Sequence, residues 1–478
     1  MKHLTLLTVT LLLVAAGRSD AQHLCATPEP SSLSGAEYRE SLPKSLVSVN
    51  VPVFFHVVKT SDGVGNVSDA VIRSHITLLN DAFTGTNYTF TLVGIERVIN
   101  NTWPGHLSYP GFGYDTDMKN ALGIQPEHVL NYYITDVTNS LGYASLPNID
   151  PLYWQEDDIR HGVVLDYASF LSSPEPLYNA GDEGVHEVGH YFGLYHVFQP
   201  EGDCDEFNDL VTDTPDQRNS YDHLCPSSGS TCGSPDNFHN YMDYSTDACR
   251  YEFTPGQKTR INQRGAAGRP SLGSFTIDVN RDISISSGES LVLENATFLF
   301  ASGKRLIANS GSTLNVTGAT LTAQGTSWGG VYYGPSSSGV LDWSTIEKVN
   351  SSGGGAVTLE YSNARLYRNT IKNNTAHGIA DLVSNNEDIE YSTIQSNSKH
   401  CIYVSSSYGY FTANNIAAAT TTSGNSAVYV TGGGPSIKRD AGVNTLNGGY
   451  YGIYATSGAV VYASGYTLSQ PGNRIFSN

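Results

Sequence analysis

The segment HEVGHYFGLYH, residues 186–196, places three histidines at offsets of zero, four and ten and a glutamate at offset one. On a helix His186 and His190 lie one turn apart, so both imidazoles point at one cation, and Glu187 beside them reaches a water on that cation. Gly193 permits an abrupt turn, through a left-handed conformation where needed, that brings back His196 as a third nitrogen ligand. Three neutral imidazoles leave a zinc ion one open position. A water there has its pKa lowered toward about 7, and Glu187 can take its proton and hand it to a leaving amine. The chemistry this set can support is hydrolysis by a metal-activated water.

Elements must hold these side chains in place. Residues 51–58 (VPVFFHVV), 128–137 (HVLNYYITDV) and 162–167 (GVVLDY) read as strands, and residues 69–83 (DAVIRSHITLLNDAF) carry helical spacing with an acidic start. Together they predict a mixed α/β domain. His56, His128 and His161 fall in or beside these strands and read as structural or surface residues. An edge strand at 141–146 (LGYASL), upstream of the metal helix, is the expected dock for an extended peptide.

Near Gly273 the composition changes: charge thins out and Gly, Ser, Thr and Asn dominate. One apolar track runs through Phe298, Leu321, Ile346, Ile371, Ile394, Ile416 and Leu446, and a second, in phase with it, through Val331, Val357, Ile379, Ile402, Val428 and Ile453. Two tracks in register at a period of 22 to 30 residues, with β-branched residues and Asn or Gly between them, predict the stacked coils of a parallel β-helix rather than a flexible linker. Because each coil touches only its neighbours, a chain ending near Arg269 is expected to fold and cleave small peptides.

The 478 residues are enough for two or three domains, and the formal charge of -19 argues against nucleic acid and anionic membranes as partners. The first 21 residues have the charged start, apolar stretch and small residues of a secretory signal. That stretch is shorter than the roughly 20 residues a span requires, so no membrane span is expected. Six cysteines suit the oxidising compartment outside the cell, and four of them, Cys204, Cys225, Cys232 and Cys249, can pair in three ways.

HExxHxxGxxH is the zinc signature of the metzincin metallopeptidases, which the chain resembles over most of residues 46–265. The HNYMDYS stretch at 239–245 resembles their Met-turn. With DLVTDTPD at 209–216, the spaced cysteines and EFTPGQ at 252–257, the sequence is similar to the pappalysin family. The resemblance implies an α/β (α+β) catalytic domain, here followed by an all-β right-handed parallel β-helix. It implies His186, His190 and His196 as zinc ligands, Glu187 as general base and acid, Tyr244 as a stabiliser of the tetrahedral intermediate, and Met242 as an apolar base beneath the metal. It also implies the disulfides Cys204–Cys232 and Cys225–Cys249, and calcium near Asp209, Thr212 and Thr214. The expected division is signal peptide 1–21, pro-segment 22–46, peptidase 47–268 and β-helix 273–478.

Cys25, in HLCATPEP, resembles the start of secreted relatives. A thiolate there could be a latency ligand that fills the open zinc position; the rival is a disulfide to Cys401. In the family the S1' wall follows the Met-turn. Here Ala248 precedes Cys249 and Asp247 stands one place further back, so no preference for basic residues is assumed. The function expected is secreted zinc endopeptidase, acting on protein or peptide substrates, with coils that bind a surface or glycan. The alternative is a carbohydrate-active, pectate-lyase-like β-helix carrying an accessory peptidase; acidic and basic residues after Gly273 form no recurrent column that would favour it.

Overall fold

The computed structural model describes residues 24–28, 47–107, 111–147, 154–173, 176–199, 201–204, 209–383, 388–395, 397–418, 425–438 and strand segments between 444 and 477. The signal peptide and most of the pro-segment lie outside the described residues.

The N-terminal part is built on β1 (Val49–Lys59), β2 (Tyr88–Ile99), β3 (Leu130–Thr135), β4 (Gly142–Ala144) and β5 (Val163–Asp166), in the order β2-β1-β3-β5-β4. All neighbours are parallel except β4, which runs antiparallel to β5 at the outer edge. The run Val51–Val58 is buried at every position because β1 is central and covered on both faces, which a continuous apolar stretch satisfies and an alternating one would not. Helix α1 (Asp69–Ala82) starts at Ser68, whose hydroxyl accepts from Val71 N, and buries Ile72, His75 and Leu79. Helix α2 (Tyr114–Leu122) covers a smaller core with Met118 and Leu122, and α3 (Asp182–Tyr191) carries the metal motif into the main core beside Val185 and Val188. Helix α4 (Pro255–Gly268) begins with a capping box between Thr254 and Gln257.

Beyond it the chain enters the coils at β6 (Thr276–Val279), followed by β7 (Ile283–Ile285) and β8 (Ser290–Glu294). Each coil contributes three short strands, and each strand pairs in parallel with its counterpart one coil later. The first apolar track is a ladder: Ile277 pairs with Phe298, then Leu321, Ile346, Ile371, Ile394, Ile416 and Leu446 in turn. The second runs from Val331 through Val357, Ile379, Ile402 and Val428 to Ile453. Both are buried throughout, and each such side chain stabilises the stack by about 1.5–3 kcal/mol relative to exposure. Buried asparagines close the turns: Asn369 Oδ1 accepts from Ser344 N, and Asn374 Oδ1 accepts from Val349 N while its amide donates to Asn397 Oδ1.

The two parts share more than a chain connection. Strand β8 pairs antiparallel with β2, Gly94 opposite Leu293 and Arg97 opposite Ser290, so the N-terminal sheet runs on into one sheet of the coils as 13 strands among the described residues. Phe54, Val93, Ile124 and Val129 pack in the same cluster as Ile277 and Phe298 and so plug the first coil. Arg73 adds a two-pronged contact to Glu294 at 2.7 and 2.8 Å. This joint runs against independent folding of a chain ending near Arg269, which would expose Phe54 and Val93 and leave the β2 edge unpaired.

Candidate metal centre

Helix α3 ends where the sequence places its turn. Gly193 has φ 91° and donates to His190 O, and a side chain there would meet Arg264. The chain then returns His196 beside His186 and His190. Their Nε2 atoms stand 3.1–3.2 Å from one another, and all three rings are buried. His186 Nδ1 donates to Tyr241 O at 2.7 Å and His190 Nδ1 to Leu194 O at 2.8 Å. These bonds place the protons on Nδ1 and leave Nε2 lone pairs facing one another, an arrangement a shared cation relieves. Zinc fits: a tetrahedron with Zn–N bonds of about 2.0–2.1 Å has edges of about 3.3 Å.

The surroundings fix this geometry. Met242 is fully buried under the helix, so close that a Cβ on Gly189 would come within 2.7 Å of its sulfur. Val197 N donates to Met242 O, which ties the segment carrying the third histidine to the Met-turn. Asn240 and Gln257 exchange amide hydrogen bonds at 2.7 and 3.0 Å, and Asn240 Oδ1 also accepts from Met242 N, so the start of α4 steadies the turn. The Tyr244 ring lies 4.7 Å from His196 and 5.8 Å from His186, centroid to centroid, and the His196 ring stacks on Phe198.

Glu187 is fully buried; its Oε2 accepts from Thr27 Oγ1 at 3.0 Å, and its Oε1 has no hydrogen-bond partner among the described residues. Burial, then the charge of Glu183, pushes its carboxyl well above the usual range. Cys25 Sγ and the three histidine nitrogens all lie within 4.8 Å of one another. The thiol is pushed up, first by burial and then by Glu187. Residues 24–27 lie along the edge of β4: Leu141 N donates to Leu24 O and Ala26 N to Gly142 O, each at 3.0 Å, and Ala144 N donates to Thr27 Oγ1 at 2.8 Å. The segment runs parallel to β4. It therefore covers the edge expected to dock peptides.

Cys204 is bonded to Cys232 and Cys225 to Cys249, while Cys25 and Cys401 are separate, buried thiols. Asp209 is buried, and its Oδ1 accepts from Val211 N and Thr214 Oγ1, whereas the Thr212 side is exposed. His56 sits between Glu96 and Asn131, His161 bonds Ser145 and Gln155, and His128 reaches Ser271 O, all away from the metal centre. Sequence reasoning missed Thr27, the Asn240–Gln257 pair and the grouping of Asp247 with Glu183 and Arg250, whose ion pairs lie behind α3. The only local signal among these was TPGQ at 254–257, a capping box.

A three-histidine centre with an adjacent buried glutamate, on a helix ending in a glycine turn above a methionine, defines a metzincin-type zinc metallopeptidase. Residues 114–265 match the family model described as pregnancy-associated plasma protein-A, and residues 306–468 match the right handed beta helix region. An extracellular metalloprotease of Podospora anserina is 37% identical over 225 residues, covering 45% of this chain and 73% of that protein. One from Neurospora crassa is 36% identical over 246 residues, covering 50% and 83%. Promirolysin of Tannerella forsythia, a solved structure, is 28% identical with a TM-score of 0.41, covering 50% of this chain and 87% of that one. The chain belongs to the pappalysin family. It is a secreted zinc-dependent endopeptidase with a β-helix accessory domain. No helix among the described residues is long and apolar enough to cross a membrane.

Proposed function

We propose that His186, His190 and His196 hold the zinc, Glu187 moves the proton and Tyr244 donates to the substrate oxyanion, in a peptidase unit at 47–268 exported by residues 1–21. The observation that carries this is the triangle of Nε2 atoms at 3.1–3.2 Å, with the rings of His186 and His190 anchored through Nδ1. Bound zinc supplies Lewis acidity, polarising the peptide carbonyl and acidifying water. Glu187, shielded from bulk water, accepts a proton and returns it to the leaving amine. The Tyr244 phenol acts in a site where few competing dipoles weaken its hydrogen bond. Met242 keeps the ligand rings from shifting.

In the uncleaved chain, Cys25 serves as the latency ligand and Thr27 engages Glu187, so one short stretch of pro-segment 22–46 blocks both metal and base. Calcium near Asp209, Thr212 and Thr214 is part of the same proposal. It draws support from Asp209 Oδ2, buried without a hydrogen-bond partner among the described residues, on a carboxyl that burial pushes up to about 7.

The coils, 273–478, would hold the enzyme on a surface glycan. Trp343, Arg368 and Tyr391 occupy the same corner of successive coils with φ of 49°, 55° and 52°, a backbone region unfavourable for large side chains. Flanking coils have Gly318 and Ala413 at this corner. Trp343 is 59% exposed and the Arg368 guanidinium lies 4.6 Å from its ring and 5.8 Å from that of Tyr391, giving apolar faces and hydrogen-bond donors suited to sugar rings. Casein and polygalacturonate are the discriminating substrates, each with and without a zinc chelator. Chelator-sensitive casein cleavage alone is expected, with retention on insoluble polysaccharide that Trp343→Ala weakens. Turnover of polygalacturonate, untouched by chelator, would reverse the roles of the two parts.

A further inference from the structure

The residue before Cys25 reports on substrate choice. Leu24 is only 2% exposed and packs with Leu141 and Tyr178, with the Tyr244 ring against the same cluster. Its carbonyl is held by Leu141 N, and the next residue carries the sulfur at the metal centre. Its side chain therefore fills the depression next to the reacting bond, on the Tyr178 side.

The polar groups around that depression are engaged elsewhere. Tyr178 Oη accepts from His223 N and donates to Tyr244 O, each at 3.1 Å, which turns the ring and not the hydroxyl toward Leu24. Asp247 is the acid a basic side chain would need. Its Oδ2 accepts from Ala180 N at 2.8 Å and Gly181 N at 3.2 Å, and its Oδ1 from Arg250 at 2.5 Å. Arg250 also holds Glu183 Oε2 and lies 5.7 Å from the Tyr178 ring. Of the other acids nearby, Glu183 Oε1 is buried and Glu183 groups with His186 and Glu187 within 4.8 Å, while Asp222, whose charge also reaches Tyr178, is exposed to water. A lysine or arginine entering beside Leu141 and Tyr178 would lose its hydration without gaining Asp247.

We infer that the processed enzyme selects peptides with a leucine-sized apolar residue at one of the two positions flanking the scissile bond, and discriminates there against Lys and Arg. The inference rests on the zinc-peptidase reading and on the pro-segment occupying the cleft. It holds whichever way the substrate runs along β4, because only the place of the pocket beside the metal enters it.

The test uses the full-length holoenzyme after removal of its pro-segment. A degenerate peptide library read by mass spectrometry should show Leu, Ile, Met or Phe enriched at one flanking position, and matched Leu and Arg peptides should differ by about tenfold or more in kcat/KM. A synthetic QHLCATPEP peptide should inhibit, and the same peptide with Leu24→Arg should inhibit about tenfold less well. Lys or Arg leading at either flanking position, with apolar residues enriched at neither, would show that Glu183, Asp247 or Asp222 is available to substrate and would overturn the inference while leaving the peptidase intact. Equal inhibition by the two peptides would also count against it. Absence of any chelator-sensitive cleavage would instead remove the peptidase reading beneath it.

Discussion

The metal centre and the coils hold their side chains in place by opposite means. Around the histidines, each polar atom is fixed by a different and unlike group: Tyr241 O from a remote loop for His186, Leu194 O from the turn just after the helix for His190, and Thr27 from the pro-segment for Glu187. In the coils, Ile371 is fixed above and below by Ile346 and Ile394, the same residue type in the same place. A site assembled from unlike parts has high chemical content and little redundancy. A ladder has redundancy and little chemistry until its corners are decorated.

The largest effect that separates the two is expected from Glu187→Ala: turnover should fall about 10³-fold with zinc content unchanged, read by metal analysis beside a peptide assay. Full metal with full turnover would remove Glu187 from the mechanism. Next comes Cys25→Ala in the uncleaved protein. Peptide turnover should rise by about 10²-fold, as expected when a tethered ligand at millimolar effective concentration and with a Kd near ten micromolar is removed. A mutant as silent as its parent would show that the segment does not block through sulfur. In the coils, Ile371→Ala should cost about 2–5 kcal/mol in denaturant unfolding yet leave kcat on a short peptide alone. A matching loss of kcat in folded protein would mean that the two regions are not separable.

The smallest expected effect is on pH dependence. Burial, with help from Arg269, pushes His161 down to about 3. Unfolded, it titrates near 6.5, so between pH 6.5 and 3 the unfolded chain takes up a proton that the folded chain refuses, and stability falls as pH falls. Asp182, Glu183 and Asp209, held up to about 7, act in the opposite sense over the same range. The histidine is therefore read by difference: between pH 7 and 5, His161→Gln should lose about 2 kcal/mol less stability than the parent. Identical slopes would mean that His161 is protonated in the fold.

What could be read from sequence was local or periodic. The histidine spacing and the glycine turn lie within eleven residues, and the two apolar tracks repeat often enough to fix coil, register and inward face. Strand β1 was legible because a central strand needs a nearly continuous apolar run, here broken only by His56. The Thr27–Glu187 bond joins residues 160 positions apart, and nothing in either neighbourhood points to the other. The β2–β8 joint was also hidden: the edge of β2 looks the same in sequence whether water or another strand covers it, and the decision lies in Phe54 and Val93 meeting Phe298. Asp247 was visible, but its occupation by Arg250 and the start of α3 depends on how the chain closes around it.

The continuous sheet across β2 and β8 has a mechanical consequence. With no slack tether between them, the cleft and the corner strip at Trp343 keep one separation and one orientation, like the jaws of a locked caliper. An enzyme anchored through its coils would present the cleft at a set height above its support. Bonds at that height would be met at high effective concentration, and bonds above or below it hardly at all.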